Sequence, residues 1–125
     1  PKEVCRQPNS SFVMRFLGDA NRISGIARGG KVFVGKAEVP FAYSRDDGPV
    51  DIYARPNDLE WEDLHDGIPA QVTRVLDRAG DRRVIASTME GDQLEFDVPP
   101  ETAVEAGDHG HIVIRRAKIF PADRT

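Results

Sequence analysis

Two hydrophobic periods divide the chain. Near its start Phe12, Val13, Phe16 and Leu17 stand at i, i+1, i+4 and i+5, which lines them along one side of a short helix. Ser10 or Ser11 can supply its N-cap, and Gly18 follows the last apolar residue where a C-cap glycine belongs. Pro8 separates this helix from the turn ahead of it. A helix of about two turns does not hold itself together in water. It therefore predicts a packing surface, which need not lie within this chain. From Asn21 onward the period drops from helical to that of strands and turns.

Asn21 to Ala27 alternates as a strand, and Arg28-Gly29-Gly30 makes a hairpin turn, because paired glycines adopt positive φ freely. Lys31 to Val34 pairs back, and Ala37 to Phe41 continues beyond Gly35. After the Asp46–Pro49 turn, Val50, Ile52 and Ala54 face one way and Asp51 and Tyr53 the other, a half-buried strand. Arg55-Pro56-Asn57-Asp58 breaks it. Leu59 to Leu64 is ambiguous between a strand and one helical turn. Ile68 to Leu76 is a strand with Ala70, Val72 and Arg74 on one face and Gln71, Thr73 and Val75 on the other. Val84 to Met89 returns after a turn, and Leu94, Phe96 and Val98 give the cleanest two-residue period. Pro99 to Ala103 breaks the pattern with room for one helical turn, Gly107 to Gly110 turns, and Ile112 to Phe120 reads as one last strand.

Short strands separated by Gly, Pro and Asp turns predict an all-β fold, a barrel or sandwich of antiparallel strands. Nothing alternates with long helices, so a parallel α/β sheet is not expected. Residues 68–120 would by themselves make a small barrel of the oligomer-binding type, a β-meander with a closing strand. No internal repeat stands out that would mark two similar barrels.

At 125 residues the chain has one domain's worth of core, and its single cysteine rules out an internal disulfide framework. Cys5 reads as an idle thiol, since no histidine lies near it in sequence. No apolar run reaches membrane-spanning length and no signal-peptide pattern appears, which predicts a soluble, cytoplasmic protein. The net charge of −4 and nine aromatics without basic interleaving disfavour nucleic-acid binding. Charge is unevenly spread: residues 1–36 hold seven Lys/Arg against two Asp/Glu, and residues 37–70 hold two against nine. Solvated faces explain this most simply. A sharper reading is docking, onto a partner or between two copies.

Chemistry is sparse. Asp108, His109 and His111, with His65 and Asp66, could make a metal site only if the fold gathered them, and an exposed turn is the simpler reading. Arg116 and Lys118 fall on one side of the last strand and could hold an anion by charge-assisted hydrogen bonds, as could Arg55. Arg82-Arg83 and the other basic residues otherwise read as an outward face balanced by nearby carboxylates. No phosphate-binding loop, nucleophile elbow or Cys-x-x-Cys is present, so catalysis is not expected here, nor a bound cofactor or metal.

The first 23 residues carry a resemblance. Pro1, Glu3, Val4, Pro8, Phe12, Val13, Phe16, Leu17 and Gly18 match the pattern that ends the ATP-binding domain of bacterial ABC importer ATPases, with Cys5 where tyrosine is usual. The continuation Gly18-Asp19-x-Asn21-Arg22, together with the Gly48–Pro56 strand (Gly-Pro-Val-Asp-Ile-Tyr-Ala-Arg-Pro), is similar to the sulfate/thiosulfate branch. Importers of other oxyanions, polyamines or sugars share the first pattern. The resemblance implies that residues 1–18 are the helical tail of a missing ATP-binding domain and that residues 19–125 are a regulatory β-barrel of the TOBE or oligomer-binding type. It implies a homodimer in which the barrels hold two ATPase subunits together. The missing domain would carry ATP and Mg²⁺, so that the parent chain is an ATPase even though these residues are not catalytic. It also implies importer permease subunits as partners, a place at the inner face of the cell membrane without insertion, and inter-domain packing by Phe12, Val13, Phe16 and Leu17. An oxyanion-sensing module at Arg55, Arg116 and Lys118 is the alternative.

Overall fold

The computed structural model describes residues 20–62 and 67–122. The expected N-terminal helix, its packing residues Phe12, Val13, Phe16 and Leu17, the boundary near Gly18, Cys5, and His65 with Asp66 lie outside the described residues. Ten strands follow one another: β1 (Asn21–Arg28), β2 (Lys31–Val34), β3 (Ala37–Ala42), β4 (Gly48–Ala54), β5 (Leu59–Glu62), β6 (Ile68–Asp77), β7 (Arg82–Thr88), β8 (Gln93–Val98), β9 (His109–Ile114) and β10 (Lys118–Pro121), with a 3-10 turn at Pro56–Asp58. The fold is all-β, as the alternation and turn spacing predict, and its curled antiparallel sheets are consistent with an OB/TOBE-like barrel.

The strands form two sheets, ordered β10-β4-β1-β2-β3 and β5-β9-β6-β7-β8. The inner order of the first, β4-β1-β2-β3, repeats as β9-β6-β7-β8 in the second. The strand that follows each half crosses over: β5 pairs with β9, and β10 pairs with β4. A repeat invisible in the residues is therefore present in the topology. The expected small barrel over 68–120 does not stand by itself, because β10 belongs to the first sheet and the second sheet takes β5.

The core lies between the sheets. Ile23, Val32, Val50 and Ile52 from the first meet Val72, Val84, Leu94, Phe96 and Ile112 from the second, all at most 1 % exposed. β1 shows how sequence makes this surface: Ile23 and Ala27 point in, while Arg22, Ser24, Ile26 and Arg28 point out. The β1–β2 hairpin turns on Gly29 and Gly30 with φ of 61° and 82°, which a side chain would strain. β3 carries Pro40 on a sheet edge, where a missing N–H costs no ladder bond.

Three expectations change. The last apolar run is two strands: Ile112 and Ile114 point into the core from β9, the chain bends at 115–117, and Ile119 rejoins the core from β10. In β6 the pairing shifts between Val72 and Arg74, leaving Thr73 as the extra residue of a bulge. The bulge moves Val75, and not Arg74, to the core side. β4 is buried on both faces, since outward Asp51 and Tyr53 are only 8 % and 3 % exposed. The ambiguous stretch at Leu59 is a strand, and Pro99–Thr102 is a turn closed by the Thr102 N–H on the Pro99 carbonyl at 3.0 Å.

Candidate functional site: a basic groove where the two halves cross

The crossover brings the two connectors side by side. The chain leaves β4 through extended Arg55 into the 3-10 turn, and the Asp58 N–H bonds to the Arg55 carbonyl at 2.9 Å. The Arg115 N–H donates to the Asp58 carbonyl at 2.7 Å, stitching the β9–β10 connector onto that turn. β10 then runs antiparallel to β4 with Lys118 opposite Tyr53. An open groove of about 460 Å³ results, lined by Tyr53, Arg55, Asn57, Asp58, Arg116 and Lys118. All three sequence-derived anion candidates, Arg55, Arg116 and Lys118, thus line one concavity although Arg55 is distant from the others in sequence.

The electrostatics favour an anion. Arg116 Nε lies 3.6 Å from the Asp58 carboxylate, but its side chain is 87 % exposed, so this contact is weak and leaves the guanidinium available. Among the described residues, Arg55 and Lys118 have no carboxylate within ion-pair distance. Among the described lining residues, three cations stand against one carboxylate. The Asn57 amide and the Tyr53 side chain line the same wall, residues that the sequence reading passed over as turn and strand. Their adjacency to Arg55 was the available signal. Next to the groove Arg115 donates to Glu60 at 2.6 Å, and that bond holds the Glu60 carboxyl below its ordinary range.

The remaining candidates are occupied. Arg83 grips Asp97 at 2.6 Å and Glu95 at 3.0 Å, Arg78 joins Asp97 to Asp81, and Arg82 bonds Asp77 and the Thr102 carbonyl. This is the balanced outward face that the composition suggests. Asp108 accepts the Glu105 N–H at 2.9 Å and closes its turn, while His109 is exposed and His111 half-buried on β9. Among the described residues no cluster of three or more His, Cys, Asp or Glu could hold a metal. No helix among them is long and apolar enough to cross a membrane.

The chain is 78% identical over 121 residues to the sulfate/thiosulfate import ATP-binding protein CysA 2 of Agrobacterium fabrum, covering 97% of this chain and 36% of that protein. It is 36% identical over 130 residues to the CysA of Burkholderia mallei, covering 98% of this chain and 37% of that one. With CysA of Escherichia coli K12 the identity is 26% over 129 residues. No family model matches. The chain spans about a third of the length of these curated relatives. Along nearly its whole length, then, it is homologous to part of the sulfate/thiosulfate import ATP-binding proteins, consistent with a C-terminal portion of such a subunit.

Proposed function

We propose that this chain is the regulatory and subunit-pairing module of the ATP-binding subunit of a sulfate- or thiosulfate-type importer. The observation that carries it is the 78% identity across 97% of the chain to part of one such subunit. The all-β fold, with curled antiparallel sheets consistent with an OB/TOBE-like barrel, supports it. ATP and Mg²⁺ would be held outside this chain, permease subunits would be partners of the whole subunit, and the module would sit at the cytoplasmic face of the membrane. Two modules pairing across a two-fold axis would hold their ATPase domains together while these open and close. Anything that binds the pair shifts that cycle by the difference in its affinity for the two states. Exchanging the matching segment of the Agrobacterium relative for this chain tests the reading. The chimera should keep sulfate uptake and ATPase activity; a folded, assembled chimera without uptake overturns it. Light scattering tests the pairing, and a monomer at every concentration removes it.

A second reading is favoured by the groove. Arg55, Arg116 and Lys118 converge there, so the module senses an oxyanion. Calorimetric titration with sulfate, thiosulfate and molybdate should give saturable heat that Arg55→Ala and Lys118→Ala abolish. No heat at millimolar anion discards this reading and leaves the first untouched.

A further inference from the structure

The outer face of the first sheet carries an apolar row. Ile26 is 45 % exposed although it lies within β1, between two paired strands. On one side it faces exposed Pro49 of β4, and on the other half-buried Phe33 of β2. Three apolar side chains thus stand side by side across adjacent strands, each about 4.8 Å from the next in the ladder direction. The other large apolar side chains exposed among the described residues, Leu76 and Met89, stand near or past strand ends. A contiguous apolar patch, unlike a single exposed side chain, calls for a contact.

Charges are laid out on either side of the row. At one end of the β1–β2 hairpin stand Arg28 and Lys31, both exposed. Arg28 lies over the Phe33 ring, 5.0 Å from its centroid, and a stacked guanidinium keeps its N–H edge for a carboxylate. Lys31 reaches Glu38 only at 4.0 Å, and both side chains are more than half exposed, so that pair is weak. At the other end stand two carboxylates from the turn between β7 and β8. Asp92 accepts the Ser24 N–H at 2.8 Å. Glu90 lies against Gly35, where a Cβ would stand 2.5 Å from its Oε2. Ile26 is midway between Ser24 and Arg28 on β1, and Phe33 is midway between Lys31 and Gly35 on β2.

We infer that two copies of this chain meet on this face, with the two-fold axis running along the Pro49–Ile26–Phe33 row. Such an axis sets Ile26 on the partner's Ile26. It carries Arg28 over the partner's Ser24 and Asp92, and Lys31 over the partner's Gly35 and Glu90, and the reverse. The contact is self-complementary, an apolar centre with opposite charges at its rim. It rests on the pairing proposed above and gives that pairing a surface.

In a Cys5→Ser background of the full chain, Ile26→Cys brings two thiols together across the axis. A short bismaleimide should span them, because packed sheets stand about 10 Å apart. Met89→Cys, 82 % exposed in the native side chain and beyond β7 of the other sheet, should link far less. Sedimentation equilibrium gives a second measurement. Ile26→Asp should raise the dimerisation Kd roughly tenfold or more. Lys31→Glu should weaken the dimer too, and Glu90→Lys added to it should restore the Kd, since within one chain these charges lie at opposite ends of β2. A dimer whose Kd ignores Ile26→Asp, or that links no better through Ile26→Cys than through Met89→Cys, overturns this face and leaves the pairing standing. A chain that is a monomer at every concentration overturns both.

Discussion

Trp61 lies against Gly110 and stacks on Phe96, centroids 6.0 Å apart and planes within 16°. A Cβ at Gly110 would stand 2.8 Å from the indole Cε2, inside van der Waals contact, and backbone β9 cannot retreat from its ladders with β5 and β6. Gly110→Ala should therefore cost about 1–3 kcal/mol by overpacking. Urea unfolding followed by circular dichroism measures it, and Trp61→Phe should restore part of the loss. Asn21 offers a polar counterpart. Its amide donates to the Glu95 carbonyl at 2.7 Å and accepts the Glu95 N–H at 2.8 Å, filling the open edge of β8 as a strand would. Asn21→Asp keeps the size but cannot donate, and should cost about 1–3 kcal/mol, close to Asn21→Ala. The sequence marks Asn21 only as a strand start; a role as a cross-sheet tie depends on a partner 74 residues away.

At Glu60 the sign of a pH effect follows from the Arg115 hydrogen bond. That bond lowers the folded carboxyl below its unfolded value, so its contribution is present above the unfolded value, near 4.5, and fades as pH falls through the folded one. Arg115→Ala should slightly destabilise the chain at pH 7 and make no difference in strong acid. The effect is small because both side chains are about half exposed, 55 % and 47 %, and solvent screens them. Thermal unfolding of both proteins across that range checks it; an equal gap at pH 7 and in strong acid would remove the assignment to this pair.

Among the elements, strands that bury one face were legible because one face alternates. The errors share a physical cause: a change of face or of sheet that no residue type announces. Arg115-Arg116-Ala117-Lys118 contains neither Gly nor Pro, so Ile112 to Phe120 reads as continuous although it bends from one sheet to the other. Thr73 is equally silent. It is β-branched and at home in a strand, yet it is the extra residue of the β6 bulge, with Oγ1 bonded to the Ile85 carbonyl at 3.1 Å. Deleting Thr73 would remove the extra residue and leave Val72 inward, Arg74 outward and Val75 inward in the pairing already present. Deletion should thus cost little more than Thr73→Val, which loses one hydrogen bond worth about 1 kcal/mol. A denaturation midpoint far lower for the deletion than for Thr73→Val would show that the bend of the bulge itself is required. The groove followed the same division. Arg55, Arg116 and Lys118 could be nominated from charge, but their meeting depends on the crossover.

For the whole molecule, the exchange of β5 and β10 decides how the chain can fold. Each half supplies the strand that completes the other's sheet, and Phe96 in the second half takes its aromatic partner, Trp61, from the first. Residues 67–125 alone would leave β9 with an unpaired edge and Ile112 and Ile114 without Leu59 and Trp61. They would also present the inner faces of β6 to β8 to water, with Val72, Val84, Leu94 and Phe96 on them. Residues 1–66 would lose β10 and the same core from the other side. Neither half should fold alone, and each should appear disordered by circular dichroism. Mixed, they should regain the strand signal and the buried emission of Trp61, because every pairing is recovered at the cost of one association step. The mixture's unfolding midpoint should rise with concentration more steeply than that of the intact chain, because its folding needs one further association step. A cooperative thermal transition from residues 67–125 by themselves would mean that β5 merely decorates β9. The connectors carrying Arg55 and Arg116 would then meet by packing, without the exchange to hold them there.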